Sequence, residues 1–118
     1  MPEDAEDITD EFLDRFGDLP KSVERLIHVA LMKALAERVG ISKVESKGAD
    51  LIFHTGRPDL SVWSEVFAKY GGMRIAPSGD RVIYRYTGTD VVKTGAKILE
   101  LYYRTRQENL NNGEKNEG

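Results

Sequence analysis

The sequence predicts an α+β domain in which the elements follow one another as α-α-β-β-α-β-β-α, with helices packed on a small antiparallel sheet. Three observations lead there. Apolar residues recur at helical spacing before Gly40, around Trp63 and again after Thr89. Between these stretches the period falls to two in four short runs. Each pair of runs is joined by a turn too short for a crossover helix, so the strands must pair as antiparallel hairpins.

The elements can be justified in order. Ile8, Phe12, Leu13 and Phe16 stand at i, i+4, i+5 and i+8, one stripe of a helix over about residues 7–16. Gly17 follows where a left-handed C-cap is wanted. Asp18-Leu19-Pro20 is a tight connection, with Pro20 near the first turn of the next helix, where its missing N–H costs nothing. That second helix is predicted to run to about Val39, because Val23, Leu26, Ile27, Ala30, Leu31, Ala34 and Leu35 form a wide apolar stripe and Gly40 stops it. So broad a stripe is expected to be the spine of the core, and so short a loop to fold the first two helices into an antiparallel hairpin.

Beyond Gly40, Ile41–Ser46 and Asp50–Thr55 read as strands around Lys47-Gly48-Ala49. Leu60, Trp63, Val66, Phe67 and Tyr70 return to helical spacing before Gly71-Gly72. Met73–Ala76 and Arg81–Tyr86 flank the turn Pro77-Ser78-Gly79-Asp80 and make a second hairpin. A last helix is expected from about Thr89 to Arg106, with Val92, Ala96, Leu99 and Tyr103 in one row and Val91, Ile98 and Tyr102 beside it. Residues 1–106 are then a single domain. Residues 107–118, polar and rich in Asn, Glu and Gly, are expected to be a disordered tail.

Composition narrows the function classes. With 118 residues, 40% hydrophobic and 31% charged, the chain can bury one ordinary core. The absence of cysteine removes disulfides, thiolate metal sites and cysteine nucleophiles, and fits a reducing, cytoplasmic setting. No apolar run approaches the roughly 20 residues of a membrane helix. Charge is unevenly distributed. Residues 1–20 hold eight acids (Glu3, Asp4, Glu6, Asp7, Asp10, Glu11, Asp14 and Asp18) against Arg15, a net of -7, whereas residues 21–118 carry a net of +4. The acidity of the chain is a local field at its N-terminus.

Catalytic motifs are missing. There is no GxxxxGK[ST] or GxGxxG, so no phosphate cradle and no cofactor is expected. His28 and His54 lack a second ligand at metal spacing and read as structural or surface residues, and no serine sits in a nucleophile elbow. A nucleic-acid reading would rest on Arg74, Arg81, Arg85, Arg104 and Arg106. Strand alternation, however, puts Arg81, Ile83 and Arg85 on one face and Val82, Tyr84 and Tyr86 on the other, so arginines and tyrosines do not build one stacking platform.

The acidic helix is the stronger signal. At 100° per residue Asp7, Asp10, Glu11 and Asp14 project opposite the apolar stripe, toward solvent. Acids three and four residues apart repel by a few tenths of a kcal/mol each. The helix dipole offsets this at Asp7, Asp10 and Glu11 and worsens it at Asp14. Such a face is either a solubilising surface or a docking surface for arginines on a partner.

The residues also carry a resemblance. "EFLDRFGDLP" followed by "VERLIHVALMKALAERVGI" closely resembles the C-terminal domain of the bacterial transcription-repair coupling factor, the TRCF domain, with its acid-x-x-Asp-Arg-Phe-Gly-x-Leu-Pro pattern and a helix ending in Leu-Gly-Ile. The likeness runs on more loosely over about residues 8–106. Met32-Lys33 stand where the family often has Leu-Arg, and Val39 replaces the leucine before Gly40.

The resemblance implies a parent that is an ATP-dependent DNA translocase, binds RNA polymerase, UvrA and double-stranded DNA, and couples transcription to nucleotide excision repair. It implies that this domain is regulatory and covers the UvrA-binding surface of a UvrB-like module in the same polypeptide. Glu11 and Asp14 would face that module, with Asp7, Asp10 and Asp18 adding to the acidic surface. Arg15, Phe16, Gly17, Leu19 and Pro20 would be the framework holding helix and turn. On the same grounds this stretch, without a Walker lysine, is expected to hydrolyse no ATP by itself.

Overall fold

The computed structural model describes residues 14–117 apart from Phe16 and Thr89, with residues 114–117 given only as helical backbone. Three helices and four strands succeed one another as α1 (Lys21–Arg38), β1 (Lys43–Lys47), β2 (Asp50–His54), α2 (Leu60–Lys69), β3 (Met73–Ile75), β4 (Arg81–Arg85) and α3 (Val91–Glu117). This is the predicted α+β order from the second helix onward. The helix expected over 7–16, and the hairpin it would make with α1, lie outside the described residues except at their end. There Gly17 takes φ 70 and donates its N–H to the Asp14 carbonyl at 3.2 Å. That positive φ is why glycine follows Phe16 in the sequence. Pro20 is the residue just before α1, and its carbonyl accepts from the N–H groups of Val23 and Glu24.

The strands form one antiparallel sheet in the order β1-β2-β4-β3. Its register sorts the side chains into two faces. Val44, Phe53, Val82 and Ile75 lie in one row across the sheet, and Ser46, Leu51, Tyr84 and Met73 in the next. These rows face the helices. The alternate rows, Glu45-Ile52-Ile83-Arg74, Lys43-His54-Arg81 and Lys47-Asp50-Arg85, make the open face. Alternation of period two therefore sorts the side chains by face, although Ile52 on the open face is only 7% exposed and Ser46 on the inner face is exposed.

The core lies between the inner sheet face and the helices α2 and α3. Trp63 is 1% exposed, with ring centroids 5.7 Å from Phe53, 6.2 Å from Phe67 and 4.7 Å from Tyr102. From α3, Val92, Ala96, Ile98, Leu99 and Tyr102 are buried. Asp59 caps α2, its Oδ1 accepting the Ser61 N–H at 3.1 Å, and Asp90 does the same for α3 through the Lys93 N–H at 3.0 Å. The end of α1 is held by α3, where Arg106 Nη1 donates to the Arg38 carbonyl at 3.0 Å.

Two expectations about the helices are corrected. The spine of the core is α3, not α1. Of the apolar stripe assigned to α1, Val23, Leu26, Ala30 and Ala34 are exposed, Leu26 by 68%. The face that α1 turns inward is His28, Met32, Leu35, Ala36 and Val39. Its polar first member hid this row from a reading based on hydrophobicity. The second correction is the extent of α3, which continues past Arg106 through Glu117. Residues 107–113 are exposed on every side, so no apolar periodicity could mark them as helical.

Candidate functional site

Asp14 and Asp18 are exposed, as is Arg15, and Leu19 is half-buried. Glu11, Asp7, Asp10 and Phe16 lie outside the described residues. The turn between Asp14 and Lys21 is thus built by the Gly17 N–H, the Pro20 carbonyl and the partial burial of Leu19, and it carries its carboxylates into solvent.

The basic residues do not gather into one surface. Arg74, Arg81 and Arg85 share the open face of the sheet, as alternation predicts, and Tyr84 faces the core on the other side. Acids sit among them. Asp50 lies between Arg85, whose Nε is 3.0 Å from Oδ1, and Arg74, whose Nη2 is 3.9 Å from Oδ2. Arg81 has its Nε 3.5 Å from Asp80 Oδ1. The other two arginines of that reading are on α3. Arg104 pairs with the buried Glu100 at 3.1 Å, and Arg106 holds the end of α1. A phosphate backbone would compete with carboxylates for every one of these groups except Arg106, which is spent on a carbonyl.

At the β1 end of the same face, His54 Nε2 lies 2.6 Å from Glu45 Oε1, and Lys43 Nζ lies 3.6 Å from Oε2. An ionised carboxylate only accepts, so the Nε2 proton must belong to the imidazole. The hydrogen bond from His54, with help from Lys43, holds the Glu45 carboxyl below its ordinary pKa, and partial desolvation opposes this. A folded-state pKa that is depressed stabilises the fold above the ordinary carboxylate pKa, and the effect disappears as pH falls through the folded value. Glu45→Gln is therefore expected to lower Tm at neutral pH and to converge on the wild type as pH falls through the depressed carboxyl pKa, below which both carry a neutral side chain. Thermal melts across that range check it; a pH-independent gap would assign the effect to packing.

His28, expected to be a structural or surface residue, is structural. It is 1% exposed on the inner face of α1, and its Nε2 has no hydrogen-bond partner among the described residues. Among those residues no group of three or more His, Cys, Asp or Glu could hold a metal ion, and no helix is long and apolar enough to cross a membrane.

Comparison with known families decides the affiliation. The family model for the TRCF domain matches residues 1–61, which hold the acidic N-terminal segment, α1 and the first hairpin. The chain belongs to the TRCF domain family. The resemblance seen in "EFLDRFGDLP" and the helix after it is thereby supported, and the chain is tied to transcription-repair coupling factors and DNA repair. Comparisons with curated proteins and with solved structures find no match. Within the TRCF match fall Asp14, Arg15, Gly17, Asp18, Leu19 and Pro20 together with the undescribed Asp7, Asp10, Glu11 and Phe16. Arg74, Arg81, Arg85, Arg104 and Arg106 fall beyond it.

Proposed function

We propose that this TRCF domain is a regulatory, autoinhibitory module of a transcription-repair coupling factor, one that masks the UvrA-binding surface of a UvrB-like module in the same polypeptide through its acidic N-terminal face. The observation carrying the proposal is that eight acids and one base are concentrated in residues 1–20, inside the family match. A self-repelling patch of that kind gains most from a cationic partner surface, which relieves the repulsion and fixes the orientation of docking.

A tethered clamp does not need high affinity. At an effective concentration of about 1 mM, an intrinsic Kd of about 10 μM keeps roughly 99% of molecules closed. Engagement of RNA polymerase elsewhere in the parent can then open it at modest cost. The basic-surface alternative has less in its favour, because Asp50, Asp80 and Glu100 already pair with four of the five arginines it needs.

The test is a titration of this domain into the UvrB-like module at low and high salt. Glu11→Ala/Asp14→Ala is expected to bind roughly 5- to 30-fold more weakly at low salt, with the difference shrinking as salt rises. Equal affinity for wild type and variant at all salt concentrations removes the acids from the mechanism.

A further inference from the structure

We propose that the free edge of β1 and the groove between it and α1 bind an extended peptide, added to the sheet as a fifth strand, with the alternating pattern acid-apolar-base-apolar-acid. The inference goes beyond the autoinhibitory reading and uses a different part of the molecule.

Among the described residues β1 is an edge strand, with β2 its only ladder neighbour. The phase of the ladder follows from the Tyr86 N–H, which donates to the Ala49 carbonyl at 2.8 Å. Ala49, Leu51 and Phe53 thus turn their peptide groups toward β4, leaving those of Asp50, Ile52 and His54 for Lys47, Glu45 and Lys43. The N–H and C=O groups of Val44 and Ser46 point the other way, to a side on which no strand among the described residues pairs with β1. Such a row is a template for another strand.

A cavity of about 630 Å³ opens between α1 and the chain leading into β1. Met32, Ala36, Ile41 and Val44 give it an apolar floor, and Lys33, Glu37 and Lys43 stand at its walls. Val44 belongs to the inner face of the sheet, so alternate side chains of an added strand would enter this groove beneath α1. Apolar side chains fit its floor.

The remaining side chains of the ligand would lie on the open face beside Lys43, Glu45 and Lys47. Directly opposed charges are favourable when opposite and unfavourable when alike. The ligand therefore reads acid, base, acid at these places, and because the host pattern is symmetric this holds for either strand direction. The same charges disfavour a second copy in the full-length antiparallel register, which would set Lys43 against Lys47 and Glu45 against Glu45.

The experiment uses the full 118-residue chain, isotope-labelled, with two capped peptides, one centred on Glu-Val-Lys-Val-Glu and the other on Lys-Val-Glu-Val-Lys. The first is expected to give saturable amide shifts confined to about residues 32–47 and new hydrogen-exchange protection at Val44 and Ser46. The second is expected to bind at least about tenfold more weakly, since three cross-strand pairs change sign. Lys43→Glu/Lys47→Glu, altering two exposed side chains, is expected to erase or invert that preference. Equal binding of both peptides, shifts centred on β3 or α3, or Val44 and Ser46 amides already protected in the free chain by its own N-terminal residues or by a second copy would each overturn the proposal.

Discussion

Replacing Trp63 with alanine is expected to destabilise the domain by about 3–5 kcal/mol and to lower Tm by more than about 10 °C. This side chain joins the sheet to two helices. Its ring meets Phe53 of β2, Phe67 one turn along α2 and Tyr102 of α3, all at tilted angles between 52° and 54°. Tilted aromatic contacts add to the loss of buried area when one ring is removed. A cavity of that size cannot collapse, because sheet and helix stand on opposite sides of it.

Trp63→Phe separates the causes. The indole N–H is buried without a hydrogen-bond partner among the described residues, so phenylalanine removes an unsatisfied donor along with part of the ring. Its cost is expected to be less than half that of alanine. Urea unfolding followed by far-UV circular dichroism compares all three proteins, and the single tryptophan gives the wild type a blue-shifted emission lost on unfolding. Unchanged stability in Trp63→Ala would place the ring outside the core.

Trp63 also shows why much of this fold could be read in the sequence. Leu60, Trp63, Val66, Phe67 and Tyr70 have clean helical spacing, and Leu51-Ile52-Phe53 and Val82, Ile83, Tyr84 are bounded by turns of recognisable composition. Both hairpins follow from this. The open-face position of Arg81 and Arg85 followed from alternation alone, and the register bears it out. What alternation could not supply was pairing between distant strands. That β2 and β4 are the central pair, leaving β1 and β3 as edges, depends on which helices cover the inner face, and this is a property of the packed whole.

The helix α1 departs from its expected packing for the opposite reason. Its apolar residues cover more than half the circumference, so hydrophobicity did not select a face. His28 did lie on the buried face, but a polar side chain gives no burial signal. At the candidate interaction site, charge counting located the acidic concentration and the "DRFG" motif located the family. The edge of β1 was invisible, because backbone groups have no sequence signature.

Gly95→Leu is expected to cost roughly 2–3 kcal/mol by overpacking the place where α1, α3 and the sheet meet. A glycine inside α3 looks like a defect, since alanine there would favour the helix by about 1 kcal/mol. Space explains it. A Cβ at Gly95 would sit 2.8 Å from Met32 Sδ on α1 and 3.2 Å from Leu51 Cδ2 on β2. The two neighbours differ in what they can yield. Met32 is half-buried and flexible, whereas Leu51 is 3% exposed within the core. Gly95→Ala is thus expected to be close to neutral, its helical gain offset by displacing Met32. Leucine has no such escape and must push α1 off α3.

A double-mutant cycle isolates the contact. Met32→Ala opens room for the new side chain, so Gly95→Leu should be less costly in that background, with a coupling of about 0.5–1 kcal/mol or more in chemical denaturation. Strict additivity would mean that the helices do not meet at Gly95. Met32 also floors the groove beside β1. Gly95→Ala turns Met32 out of its place without unfolding the domain, so peptide binding at the β1 edge should weaken in that variant even as stability holds, a separation that a merely global effect could not produce.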